Sequence, residues 1–273
     1  MWNNVRLLNA LSNALLLLAV LVVLAAGSIW FANQPMFVIR NVMVTSASGQ
    51  PLKHVSAPLL QAATRKELVT KPVSRNTLQT DSLLGSARYF FGVPLESLRE
   101  SFEQVPWVRQ ASIRRVWPNS LHIEIEEHKA AAVWGDGRLV NMQGELFSAN
   151  LGEAEEAGPL PQFAGPNEAS VLVLRRHVEL VQWLAPLNVR PESLTLSTRH
   201  AWTVKLDDGT TLLLGREQGV AMEDRIAKWV ASVPRLQSRL ASRPELYDLR
   251  YPNGFAVRAI ALVDDAKKLD SKP

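Results

Sequence analysis
The sequence predicts an α+β chain: a single N-terminal transmembrane helix, then a β-α-α-β-β domain, then a mixed β-sheet domain with two helices. Three observations carry that expectation. Residues 7–32 hold no charge, with Arg6 before them and Arg40 the next ionised side chain. Residues 94–126 show one helical apolar stripe followed by two alternating runs. Beyond residue 128, short apolar runs alternate with glycine turns and two further helical stripes.

The first run is long enough to span a bilayer. A helix rises about 1.5 Å per residue, and about 20 mostly apolar residues cross the hydrocarbon layer. Residues 14–26 are unbroken Ala, Leu and Val, and Trp2 and Trp30 stand near the two ends, where indoles favour the interface. Arg6 and the N-terminal amine precede the helix, so the positive-inside rule puts residues 1–6 in the cytoplasm and the bulk of the chain outside it. A cleaved secretory signal is the alternative, with Ala25-Ala26-Gly27 as its small-residue site. The apolar run continues through Ile29, Trp30 and Phe31, which favours an uncleaved anchor. Either way the remainder is exported.

Residues 33–273 suffice for two modest domains. A net charge of +4 without clustered Lys and Arg does not suit a nucleic-acid binder. With no Cys, disulfides and thiolate metal sites are excluded, and eight Trp and eight Phe help supply ordinary cores.

Residues 37–45 are rich in β-branched and apolar side chains and predict a strand. Residues 55–66 suggest a helix with Leu59, Leu60 and Ala63 on one side, while 69–84 are polar and mixed. Pro94 suits the first turn of a helix whose stripe is Leu95, Leu98, Phe102 and Val105. A strand over 108–116 turns Ala111 and Ile113 inward and Gln110, Ser112 and Arg114 outward. After a turn at Trp117–Ser120, residues 121–126 alternate Leu121, Ile123 and Ile125 with His122, Glu124 and Glu126, the pattern of a half-solvated antiparallel strand.

In the second domain, short strands are expected at 132–134, 138–141 and 145–147, then an acidic loop over 151–166. A helix over 168–184 places Val171, Leu174, Val178 and Val181 on one face. Strands follow at 194–197, 202–206 and 210–214, with Asp207-Asp208-Gly209 turning the last pair. Met222, Ile226, Trp229, Val230 and Val233 mark a second helix, which Pro234 should kink or split. Strands over 245–251 and 255–262 end the domain, with Tyr247, Leu249 and Tyr251 on one face and Asp248 and Arg250 on the other. Residues 264–273 are polar and expected to be disordered.

The sequence offers little catalytic chemistry. His122 and His128 flank two carboxylates, but an extended strand would separate them by about 20 Å, unless it ends before His128. A metal needs ligands about 2 Å away. There is no Gly-x-Ser-x-Gly elbow, no His-Glu-x-x-His, and residues 215–219 lack the Gly-Lys-Ser/Thr ending of a phosphate loop. No catalytic, metal or cofactor residue is assigned, and no cofactor is expected. Arg109, Arg114 and Arg115 form either a solvated face or a recruitment surface for an acidic partner or anionic headgroups. The hairpin 246–262 is either an open sheet edge able to accept a strand or an internal strand with its tyrosines in the core.

Phe91-Gly92-Val93-Pro94-Leu95, Val105-Pro106-Trp107-Val108-Arg109, the Trp117-Pro118 turn and Glu126-Glu127-His128 together resemble the POTRA domain of FtsQ/DivIB cell-division proteins. The resemblance extends into Ala132-Val133-Trp134, Gly137–Val140 and Gly144–Phe147, and returns at Tyr247–Gly254. It implies a cytoplasmic tail at 1–6, a span at 7–32, a POTRA domain at 35–128, a β domain at 129–263 and a tail at 264–273. It further implies a single-pass type II protein of the inner membrane, periplasmic in bulk and sited at the division septum. Its work would be non-enzymatic: binding the FtsB–FtsL pair by strand addition at the C-terminal hairpin and helping to position septal peptidoglycan synthesis. FtsW, FtsI and other divisome proteins are further partners the family implies. By matched motif, Arg250, Tyr251, Asn253 and Gly254 fall in the FtsB site, with Phe255 beside them. Arg199 corresponds to a basic residue that approaches the same partner, and Ala259 stands where some relatives carry a large aromatic. The rival functions are an anchored periplasmic enzyme of wall metabolism and a POTRA-type chaperone of outer-membrane protein insertion. The chaperone is disfavoured by the inner-membrane span.

Overall fold
The computed structural model describes residues 5–32, 34–39, 41–56, 58–60, 90–240 and 244–258. The expectations for 61–84, for Ala63, for the end of the last strand, for Ala259 and for the tail lie outside these residues. The chain divides into two compact units, Met1–Glu127 and His128–Pro273.

The first unit opens with α1 (Val5–Ala32). Its stretch Asn9–Ala32 contains an 18-residue window with a mean hydropathy of 2.7 and is long and apolar enough to cross a membrane. The strand expected from residue 37 begins later. Pro35 starts a short 3-10 turn, Pro35–Phe37, and Phe37 is buried with its carbonyl accepting the Phe90 N–H at 2.8 Å. The strand proper, β1, is Asn41–Ser46.

Among the described residues three strands make the first unit's sheet: β1, β2 (Val108–Val116) and β3 (Ser120–Glu127), in the order β1-β3-β2. β1 runs parallel to β3, and β2 antiparallel, with Ile113 opposite Ile123. α2 (Leu95–Glu103) buries Leu98 and Phe102, with Pro94 at its cap. The alternation in β3 is strict: Leu121, Ile123 and Ile125 are buried. The Glu127 carboxylate closes the unit by accepting the N–H groups of Lys53, His54 and Val55 at 2.9, 3.0 and 2.7 Å.

The three arginines of β2 have internal partners. Arg109 pairs with Glu126 at 3.0 Å, and Arg114 Nε donates to His122 Nδ1 at 2.8 Å. Arg115 donates to the carbonyls of Phe90 and Val93, both at 2.7 Å. Charged donors to carbonyls contribute more than neutral ones, so Arg115→Gln should cost about 1–2 kcal/mol. Arg114→Gln should change stability by less than about 0.5 kcal/mol. Urea unfolding of the two variants checks the difference.

The second unit is built on one sheet. Its strands are β4 (Ala130–Trp134), β5 (Leu139–Asn141), β6 (Leu146–Phe147), β7 (Gln162–Ala164), β8 (Pro191–Leu196), β9 (Trp202–Leu206), β10 (Thr211–Gly215), β11 (Leu246–Asp248) and β12 (Ala256–Arg258). The helices are α3 (Leu151–Ala154), α4 (Ser170–Leu184) and α5 (Met222–Gln237). Nine strands lie in the order β12-β11-β10-β9-β8-β7-β4-β5-β6. α4 and α5 pack together, and α4 covers β8.

Several expectations are corrected here. The loop over 151–166 contains α3 and β7, and β7 is an internal strand parallel to both β4 and β8. Three residues are too few to show a period. In α4 the buried stripe is Val173, Arg176, Leu180 and Leu184, while Val171, Val178 and Val181 are exposed. The Arg176 guanidinium disguised that stripe. It is buried between the indoles of Trp183 and Trp202, 5.5 and 5.6 Å from their centroids, and pairs with Glu179 and Glu217. α5 continues through Pro234 to Gln237 rather than splitting. The two histidines also have separate fates. His122 sits between Thr45 and Arg114, whereas His128 stacks on Phe147 at 4.1 Å and bonds Asn141 at 2.9 Å.

Candidate partner-binding edge
Among the described residues β12 is the outermost strand at one side of the second unit's sheet. It pairs antiparallel with β11 on its inner side, Tyr247 opposite Val257 and Asp248 opposite Ala256. Among the described residues no strand lies on its outer side. Such an edge can accept an added strand.

The face expectation for the preceding segment is half right. Tyr247 and Leu249 are each 1% exposed and lie in the core, whereas Tyr251 is 53% exposed. β11 stops at Asp248, where its parallel register with β10 ends opposite Leu213; two residues further along β10, Gly215 adopts φ +67°, and the pairing of β10 with β9 is irregular there. Tyr251 therefore lies beyond the strand and is free of its alternation.

Arg250 is held in place before any partner arrives. Its Nε and Nη2 donate to the two Asp248 carboxylate oxygens at 2.8 and 2.6 Å, and its N–H donates to Oδ1 at 3.1 Å. The Arg250 stem passes over Gly215, where an added Cβ would stand 2.8 Å from Arg250 Cγ. Phe255 is half-buried and meets the Tyr247 ring edge-on at 6.0 Å. Asn253 and Gly254 are exposed beside it.

The Arg250 guanidinium beside Asp248 holds that carboxyl below its ordinary range. A depressed carboxyl pKa stabilises the fold at neutral pH, and the contribution is lost as pH falls below about 3.9, the unfolded value, toward the folded one. Asp248→Asn should therefore flatten the acid side of the melting-temperature profile. Melts between neutral pH and about pH 3 test this, and an unchanged acid slope would refute it.

Arg199 lies in the exposed turn between β8 and β9. Trp202, just after it, is opposite Gly215, so Arg199 and Arg250 stand at the same end of the sheet with the start of the β10–α5 loop between them. Arg199 lines a cleft of about 360 Å³ with Leu196, His200, Trp202, Arg216 and Glu217. The structure thus places Arg199, Arg250, Tyr251 and the 253–255 turn at one end of one sheet, with Arg199 inward of the edge at the β8–β9 turn, while Arg109, Arg114 and Arg115 belong to the other unit.

Sequence reasoning missed Arg225. It donates to the carbonyls of Leu214, Leu249 and Arg216 at 2.6, 2.9 and 3.2 Å. The available signal was an arginine beside the apolar stripe of Met222, Ile226, Trp229 and Val233. No group of three or more His, Asp or Glu is placed for a metal among the described residues.

Residues 132–250 match the family model for the C-terminal region of cell division protein FtsQ/DivIB, and residues 70–128 match the FtsQ-type POTRA domain. The chain is 42% identical over 263 residues to the cell division protein FtsQ of Burkholderia pseudomallei, covering 96% of each chain. The chain belongs to the FtsQ/DivIB family. With FtsQ of Bordetella pertussis it shares 36% identity over 287 residues, covering 100% of this chain and 98% of that one. With FtsQ of Nitrosospira multiformis it shares 36% over 259 residues, 94% and 99% of the two chains. As an FtsQ/DivIB member it is a cell-division protein with a POTRA domain and an apolar helix suited to a single membrane crossing. The FtsQ/DivIB match ends at Arg250, so Tyr251 to Phe255 lie just past it.

Proposed function
We propose that this chain is a non-enzymatic scaffold of the divisome that binds the FtsB–FtsL pair in the periplasm and helps position septal peptidoglycan synthesis. The observation that carries the reading is the outermost place of β12 among the described strands, beside exposed Tyr251 and Arg250. A partner strand added along β12 gains main-chain hydrogen bonds, Tyr251 supplies apolar area, and the Arg250 fork offers its remaining donors to a carboxylate. Asn253, Gly254 and Phe255 flank that contact, and Arg199 gives a second cationic point at the same end of the sheet. FtsW, FtsI or other division proteins are proposed as further partners, with the Arg109, Arg114 and Arg115 strand as their recruitment surface. Anchoring in the inner membrane at the septum raises the local concentration of partners, so modest interfaces suffice.

Calorimetric titration of the detergent-solubilised full chain with purified FtsB–FtsL pair should show saturable binding. A flat titration would remove the reading. Because the chain has no Cys, single cysteines report orientation cleanly. In intact cells with a permeabilised outer membrane, an impermeant maleimide should label Ser238→Cys and spare Asn3→Cys. The reverse pattern would invert the proposed topology.

A further inference from the structure
We infer that Arg225 is a positioning residue of the partner edge: its guanidinium caps the carbonyls where the pairing of β10 with β11 ends and thereby holds Arg250 and Tyr251 outward. This rests on the proposed function.

Arg225 lies in the first turn of α5 and is 6% exposed. A buried guanidinium is costly unless its donors find acceptors. Nη1 donates to Leu214 O at 2.6 Å and to Leu249 O at 2.9 Å, and Nη2 to Arg216 O at 3.2 Å. The parallel register ends at Leu213 opposite Asp248, and Leu214 and Leu249 are the next residues along the two strands. Leu249 N–H still bonds Leu213 O at 2.9 Å, but two residues further along β10 Gly215 takes φ +67° and lies past the β11 register, while it stays opposite Trp202 of β9. From there the Leu214 and Leu249 carbonyls need N–H donors that the ladder no longer supplies. One guanidinium serves both.

The consequence falls on the next two residues. Had pairing continued, strand alternation would place Tyr251 on the side of Tyr247 and Leu249, in the core. With the ladder capped at Leu249, Tyr251 is 53% exposed and Arg250 lies across Gly215. A lysine carries a point charge, not a planar fork, and cannot span the same three carbonyls.

The test uses the full chain in detergent, titrated with the FtsB–FtsL pair, in Arg225→Met and Arg225→Lys, each with and without Arg250→Ala. Arg225→Met should weaken binding by about tenfold or more in the parent and by less than about threefold when Arg250 is already Ala, because the lost positioning has less left to position. Arg225→Lys should melt near the parent yet still bind about fivefold or more weakly, a split that a purely structural role would not give. Amide exchange at residues 249–254 should quicken in both variants. Equal losses in the two backgrounds, or folded variants that bind like the parent, would overturn the inference while leaving the proposed function standing. Failure of both variants to fold assigns Arg225 to the core alone and overturns it too. A parent that does not bind the pair removes both readings.

Discussion

Arg250→Glu is expected to weaken binding of the FtsB–FtsL pair by about a hundredfold, or roughly 3 kcal/mol. The Arg250 side chain is 59% exposed and Asp248 only 11%, so the pair presents a cation to the surface and hides its counter-charge. Asp248 takes the Nε and Nη2 side of the fork, leaving Nη1 to meet a partner carboxylate. The pre-formed pair restricts the guanidinium before binding, which lowers the entropy lost on contact. Glutamate reverses the sign at the surface. It also sets a second carboxylate beside buried Asp248, which raises that group's pKa and strains the fold. Circular dichroism must therefore accompany the titration, and Arg250→Gln separates lost attraction from added repulsion. The glutamine variant should lose about tenfold. A folded Arg250→Glu chain that binds like the parent would take Arg250 out of the interface.

What was legible in the sequence follows from how each element is stabilised. α1 was legible because its signal is length without charge. β3 was legible because residues 121–126 alternate apolar inward and polar outward positions. β7 was not, since its three residues carry Phe163 alone into the core. The face of α4 was misjudged because one of its buried positions is an arginine, neutralised by Glu179 and Glu217 and covered by indoles. Arg225 escaped for the same reason: tertiary partners let a cation occupy a core position, and those partners are distant in sequence. The residues proposed to meet the partner were named from a local motif. Their geometry depends on Gly215 and Arg225, which no local pattern ties to them.

The two tyrosines of the last hairpin should separate stability from binding. Alternation alone makes Tyr247 and Tyr251 equivalent, yet the structure buries one and exposes the other. Tyr247 packs edge-on against Trp229 at 5.3 Å and against Phe255 at 6.0 Å, beneath α5. Tyr247→Ala should leave a large cavity and cost about 3–5 kcal/mol, as other aromatic truncations in cores do. Its effect on binding should then follow the fraction unfolded. Tyr251→Ala should change stability by less than about 0.5 kcal/mol. An exposed aromatic beside an arginine fits an interface anchor, so the same change should cost about 2 kcal/mol of binding, or roughly thirtyfold. Urea unfolding followed by circular dichroism gives the first quantity, and calorimetry with the FtsB–FtsL pair the second. If Tyr251→Ala instead unfolds the domain, the segment continues β11 and its tyrosines share one buried face. If it folds and binds normally, the partner strand lies elsewhere on the sheet.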